Sequence, residues 1–161
     1  MAQVDAFLKL DGIKGESQDS KHKGDIEVLS FSWGMAQTGA GHRGTGSGTG
    51  KVDIADITFQ KYIDKSSPSI MTACATGGHI AKGKLTVRKA GGTPLDYVTL
   101  DMEKIFVSSY QTSGSGGSEV LTESFSLNFV KVKLEYWTQT DKGAKGENAN
   151  FSWDIAQHEK F

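Results

Sequence analysis

The chain of 161 residues has one cysteine, two prolines and no long apolar run. Each scarcity excludes something. With Cys74 alone no intrachain disulfide can form, so the fold does not depend on an oxidising compartment. No stretch approaches the ~18 apolar residues that a membrane-spanning helix needs. The opening MAQVDAFLKLDG lacks a basic segment followed by an apolar run, so no cleaved secretory signal is expected. An excess of one charge is missing as well. Lys plus Arg number 18 against 19 for Asp plus Glu, a formal net charge of -1. Neutralising phosphates needs a basic surplus, so nucleic acid is not an expected partner.

What the chain has is glycine and alternation. There are 20 glycines in 161 residues, well above the average of about 7%, and they cluster. Segments 4–10, 25–33, 51–60, 82–89, 95–110 and 151–155 alternate apolar with polar residues, which is the period of a strand. In 25–33 two stripes compete. Leu29, Phe31 and Trp33 make the stronger core candidate, because aromatic rings offer the larger apolar area. Ser30 and Ser32 would then face away. The segment 67–78 reads as a short helix: Ser67 as N-cap, Pro68 at the first position, Gly77 as the stop, with Ile70, Met71 and Cys74 on its apolar side. Residues 38–50 carry glycine at 39, 41, 44, 46, 48 and 50 and can build no core, so an exposed loop is expected. A second polar loop is expected at 141–150. The fold class is mainly β, a single small barrel or sandwich with one flanking helix, in one domain over 1–161.

The segment LTESFSLNFVKVKLEY, 121–136, departs from simple alternation. Leu121, Phe125, Leu127 and Phe129 share one face of an extended chain; Val130, Val132, Leu134 and Tyr136 share the other. The long strand at 95–110 slips phase near Ile105. Such a change of face implies a bulge, or a strand that packs its own core at one end and something else at the other. On the second reading Val130, Val132, Leu134 and Tyr136 form a surface for a neighbouring copy.

A search for chemistry finds little. Gly39-Ala40-Gly41-His42-Arg43-Gly44 fits a dinucleotide fingerprint, but a strand and not a helix follows it. A phosphate loop ending at Gly50-Lys51 fails at Thr45 and Val52. His22, His42, His79 and His158 have no ligand spacing and read as solvated loop residues. Cys74 reads as a structural thiol. No cofactor and no metal are implied, and the chain reads as a non-enzyme.

Five segments together resemble the hemolysin-coregulated protein (Hcp) family of bacterial type VI secretion: FLKLDGIKGES at 7–17, SFSWG at 30–34, KYIDKSSPSIMTACATG at 61–77, VRKAGG at 87–92 and LTESFSLNFVKVKLEY at 121–136. They stand in family order along most of the chain. The resemblance implies a small β-barrel with one helix, like that of phage tail tubes. It also implies a homohexameric ring, rings stacked into a hollow tube, and effector proteins carried by the tube. Sheath and spike components would be its partners, and it would pass from the cytoplasm out of the cell without insertion into a membrane. The family's extended loop falls at 38–50, which assigns ring stacking to Gly39, Gly41, His42, Arg43, Gly44, Gly46, Gly48 and Gly50. Ser30 and Ser32 become candidates for the lumen face. Some relatives carry a catalytic extension after the tube domain; none is expected after Phe161. The competing expectation is a monomeric or dimeric β-barrel that binds a small ligand.

Overall fold

A computed structural model describes residues 4–37, 51–89 and 94–161. The alternating segments become β1 (Val4–Leu10), β2 (Ile26–Val28), β3 (Ser30–Ser32), β4 (Met35–Gln37), β5 (Val52–Ile54) and β6 (Ile57–Tyr62). Then follow α1 (Ser67–Thr76), β7 (His79–Lys89), β8 (Leu95–Ser113), β9 (Thr122–Asn128), β10 (Lys131–Gln139) and β11 (Lys145–Asp154). The molecule is mainly β with one helix. Nine strands make one antiparallel sheet in the order β2-β1-β7-β8-β9-β6-β3, with β10 on β8 and β11 on β10; β4 and β5 form a separate ribbon.

The large sheet is folded along a line, and three phase slips in the sequence mark where strands cross it. On β8, Leu100 and Met102 are buried, and then Ile105 and Val107. Between them Lys104 adopts φ 54°, which moves the inward-facing positions from even to odd. The neighbouring stretch changes at the same level. Phe125, Leu127 and Phe129 are buried, and then Val132. The register is unbroken across this point, with Asn128 opposite Phe106 and Lys131 opposite Glu103. Chain 26–32 crosses too. Ile26 and Val28 are buried beside β1, and Phe31 lies opposite Phe59 of β6. A strand that bends from one sheet half into another must change which residues point inward. All these side chains except Phe31 belong to one core cluster. Beside the bend, Gly83 leaves the space the core needs: a Cβ there would sit 2.8 Å from both Ile105 Cδ1 and Leu10 Cδ2.

This corrects four expectations. The stretch 121–136 is two strands meeting at a corner, and its face change serves the chain's own core; Val132 is fully buried and Leu134 packs on the core. In 25–33 the core stripe is Ile26 and Val28, while Leu29 and Phe31 are 53% and 43% exposed. The segment 141–150 is a loop only as far as the turn. From Lys145 it pairs with β10, up to Tyr136 opposite Ala149 and Glu135 opposite Asn150. The helix begins one residue early, with Ser66 at the N-cap, because the Ser67 hydroxyl is turned into the core. Its stop is as expected: Gly77 takes φ 67°, a conformation that costs glycine nothing.

Candidate functional site

One outward face of the sheet carries neutral polar side chains across four strands. Residues opposite one another in an antiparallel pair share a face. Ser32 lies opposite Thr58, Thr58 opposite Ser126, and Ser126 opposite Ser109. One row over, Ser30, Gln60, Ser124 and Gln111 follow in the same way. None of these eight is charged. They bond to one another: Ser30 donates to Gln60 Oε1 at 3.2 Å, and Thr58 Oγ1 and Ser126 Oγ are 3.0 Å apart. Ser30 and Ser32 are exposed and stand at the edge of this face. The other hydroxyls were legible in the same way as these two, because Ser124 and Ser126 alternate with the buried Phe125 and Leu127.

Behind the face, on the core side, lies a buried charge network. Lys61 is 0% exposed and pairs with Glu123, the residue opposite it on β9. Its ammonium also donates to Asp64 Oδ1 at 2.8 Å and to the Ser67 hydroxyl at 3.2 Å. Ser67 donates to Glu123 Oε1 at 2.9 Å, and the Tyr110 hydroxyl donates to Glu123 Oε2. Burial, then the Glu123 carboxylate, hold the Tyr110 hydroxyl above its ordinary range. The network ties β6, β8, β9 and the start of α1 together. Polar residues read as exposed, so nothing in the sequence pattern marked it.

The four-strand face has two open edges. β3 pairs with β6 on one side, and among the described residues no other strand flanks it. On β8, pairing with β10 ends at Glu103 and pairing with β7 at Phe106, so residues 107–113 have β9 on one side only. In a four-strand antiparallel run the first and last strands point in opposite directions. Beside the β3 edge, Leu29, Phe31, Tyr62 and Ile63 are exposed. Leu29, Tyr62 and Ile63 line a groove of about 670 Å³.

The remaining candidates are dispersed. Of the four residues expected to meet a neighbour, Tyr136 is exposed, Val130 half-buried at the corner, and Val132 and Leu134 taken up by the core. The glycine-rich stretch 39–50 lies outside the described residues. His22 is not a solvated loop residue: its ring stacks on Phe7 at 4.5 Å, and Nδ1 sits 3.1 Å from Asp25 Oδ2. Cys74 is partly buried against the core. Among the described residues no three His, Cys, Asp or Glu gather as metal ligands.

The family model described as "Type VI secretion system effector, Hcp" matches residues 7–136. The chain belongs to the Hcp family of type VI secretion proteins. It is 46% identical over 157 residues to protein hcp1 of Pseudomonas aeruginosa strain PAO1, covering 96% of this chain and 97% of that one. Hcp1 from Salmonella typhimurium superposes with a TM-score of 0.81 at 36% identity, over the whole of both chains. A solved type six secretion system protein gives 0.92 at 31% identity, over 99% of this chain and all of that one. As an Hcp, the chain is a structural, secreted component of a type VI system and not an enzyme.

Proposed function

We propose that the chain is the repeating subunit of a type VI inner tube, with residues 1–161 acting as one domain. The observation that carries this is the face of eight neutral side chains, with Asp56 at its end held by Ser108 and Asn128, bounded by two open edges of opposite strand direction. A copy placed beside the first by rotation presents its β3 to the first copy's residues 107–113 in antiparallel orientation. The contact is head-to-tail, so it closes as a ring when the rotation allows. Six copies are the family expectation. The exposed Leu29, Phe31, Tyr62 and Ile63 would be covered at that seam, with Tyr136 at a separate contact. The sheet path runs from β2 to β3 without closing by strand pairing; chain 26–32, which pairs with β1 at one end and β6 at the other, supports the reading of a small tail-tube-like barrel.

The neutral face then lines the lumen. Hydroxyls and amides stay hydrated and hold nothing strongly, which suits effector proteins that must later leave. Rings stack through 39–50, the system's sheath and spike meet the assembled tube, and subunits gather in the cytoplasm before export. Native mass measurement and electron microscopy of the purified protein test this. Six-membered annuli are expected; a monomer at high concentration would overturn the reading. Ser32→Lys should leave the ring and reduce cargo retention, and unchanged co-purification would count against a lumenal Ser32. Deleting 39–50 should leave rings and abolish tubes.

A further inference from the structure

The opposite outward face, on β1, β7 and the first half of β8, carries a groove that the tube reading does not use. Its volume is about 320 Å³, and five lysines line it. Lys9 and Lys84 lie directly opposite each other across β1 and β7, and Asp101 of β8 lies opposite Lys84 on its other side without forming a salt bridge to it. Like charges placed so are destabilising. Lys21 and Lys23 come from the loop after β1, and Lys145 from the start of β11, where it sits 4.1 Å above the Trp137 ring. Among the described residues none of these five ammonium groups has a salt-bridge partner. The two acids in the groove, Asp25 and Asp96, flank His22 at 3.1 and 3.4 Å through one oxygen each, and Asp96 Oδ1 is buried without a hydrogen-bond partner. On the floor Thr99 is 4% exposed and its hydroxyl has no hydrogen-bond partner.

We propose that this groove docks a short acidic segment of a partner protein. Carboxylates would sit between Lys9 and Lys84, relieving their opposition, and one would reach the Thr99 hydroxyl. The Trp137 ring offers an apolar contact beside them. A long polyanion fits poorly, because the groove is small and the whole chain has a net charge of -1. If the tube reading holds, the groove faces outward, towards whatever encloses the tube. Only the location of the partner rests on that reading; the docking chemistry does not.

The test uses full-length protein and a hexaglutamate peptide, followed by titration calorimetry and tryptophan fluorescence. Binding is expected at low salt, weakening as salt screens it. Replacing both Lys9→Gln and Lys84→Gln should weaken it by about tenfold, with Tm unchanged or raised. Lys65→Gln, outside the groove, should change nothing. No peptide binding at low salt, or binding indifferent to the double variant, would overturn the proposal. So would equal affinity for inorganic phosphate or a short DNA duplex, which would make the groove a general anion site. Native mass of the same variant separates the two readings. An altered ring would assign the groove to a second copy of this chain and also overturn the proposal. A wild-type protein that forms no rings but binds the peptide would sink the tube reading alone.

Discussion

The two outward faces of this sheet share one strand, β8, and differ in what they expose. Past Lys104, β8 contributes Ser109 and Gln111 to two rows of neutral side chains. Before Lys104 the same strand contributes Thr99 and Asp101 to a face studded with lysines. The core between them is shared. Stability does not require the difference, because either kind of side chain is well solvated on an outward face. On the proposed reading, the difference reflects what each face meets. Hydroxyls suit a surface that something passes, and lysines suit one where something is held.

The two faces also differ in what supports them, and the largest predicted effect tests this. The neutral face is backed by Lys61 and Glu123, both fully buried. Removing one member of such a pair leaves an uncompensated buried charge, at a cost of about 3–5 kcal/mol. Glu123→Ala should therefore lower stability by about that much in urea denaturation. The double change Lys61→Met with Glu123→Leu should recover part of it, since the uncompensated Lys61 charge is gone while Asp64 loses its cation and the Ser67 and Tyr110 hydroxyls lose their acceptor. A single variant as stable as the wild type would mean that the network lends the wall no support.

The next effect separates core from surface along one short stretch. Val132→Ala removes fully buried methyl groups and should cost about 2 kcal/mol. Tyr136→Ala, at an exposed position, should stay within about 0.5 kcal/mol in the isolated protomer. Equal costs would contradict the corner geometry.

Those two residues also show how far the sequence was legible. Alternation found most of the strands, and Pro68 and Gly77 bracketed the helix to within a residue. The face change after Phe129 was visible as well, but a single strand cannot show that its neighbour bends at the same level. Only the joint turn of β8 and β9–β10 makes one core of two stripes. The same cause misled the reading of Leu29 and Phe31, though not of Trp33, which packs against the core, because chain 26–32 changes partner at Leu29, whose N–H bonds the Gln60 carbonyl at 2.8 Å. Strand 145–150 was missed because it is held by ladder bonds to β10 and buries almost nothing. Lys61 and Glu123 were missed because charge reads as exposure. The neutral wall, by contrast, lay in plain view as serines alternating with Phe125 and Leu127.

On the lysine-rich side the loop after β1 is clamped by Arg88, whose guanidinium donates to both Asp19 oxygens, at 2.9 and 2.6 Å, and lies 5.0 Å over the Phe7 ring. The Arg88 hydrogen bond, then the Lys21 backbone N–H, hold the Asp19 carboxyl well below the usual carboxylate range. A carboxyl lowered by folding stabilises the fold fully above its unfolded value of about 3.9, and that contribution fades as pH falls towards the folded value. Asp19→Asn should therefore lower Tm at neutral pH by less than Glu123→Ala does. Its gap from wild type should close on acidification below about pH 4. A gap constant down to strong acid would show that the clamp does not depend on the charge of Asp19.

The smallest effect falls where the two faces meet. Lys104 is exposed and holds φ 54°, a conformation that side chains with a Cβ adopt at a cost of roughly 1–2 kcal/mol. Asparagine tolerates it better, through local hydrogen bonds of its short side chain. Lys104→Asn should stabilise the protein by about 0.5 kcal/mol, and Lys104→Val should destabilise it by about 1–2 kcal/mol because branching at Cβ aggravates the strain. Both side chains would point to solvent, so packing cannot account for opposite signs. If valine is tolerated as well as asparagine, the bend does not depend on a left-handed residue at 104, and the change of face must be carried by Phe129–Val130 across the ladder.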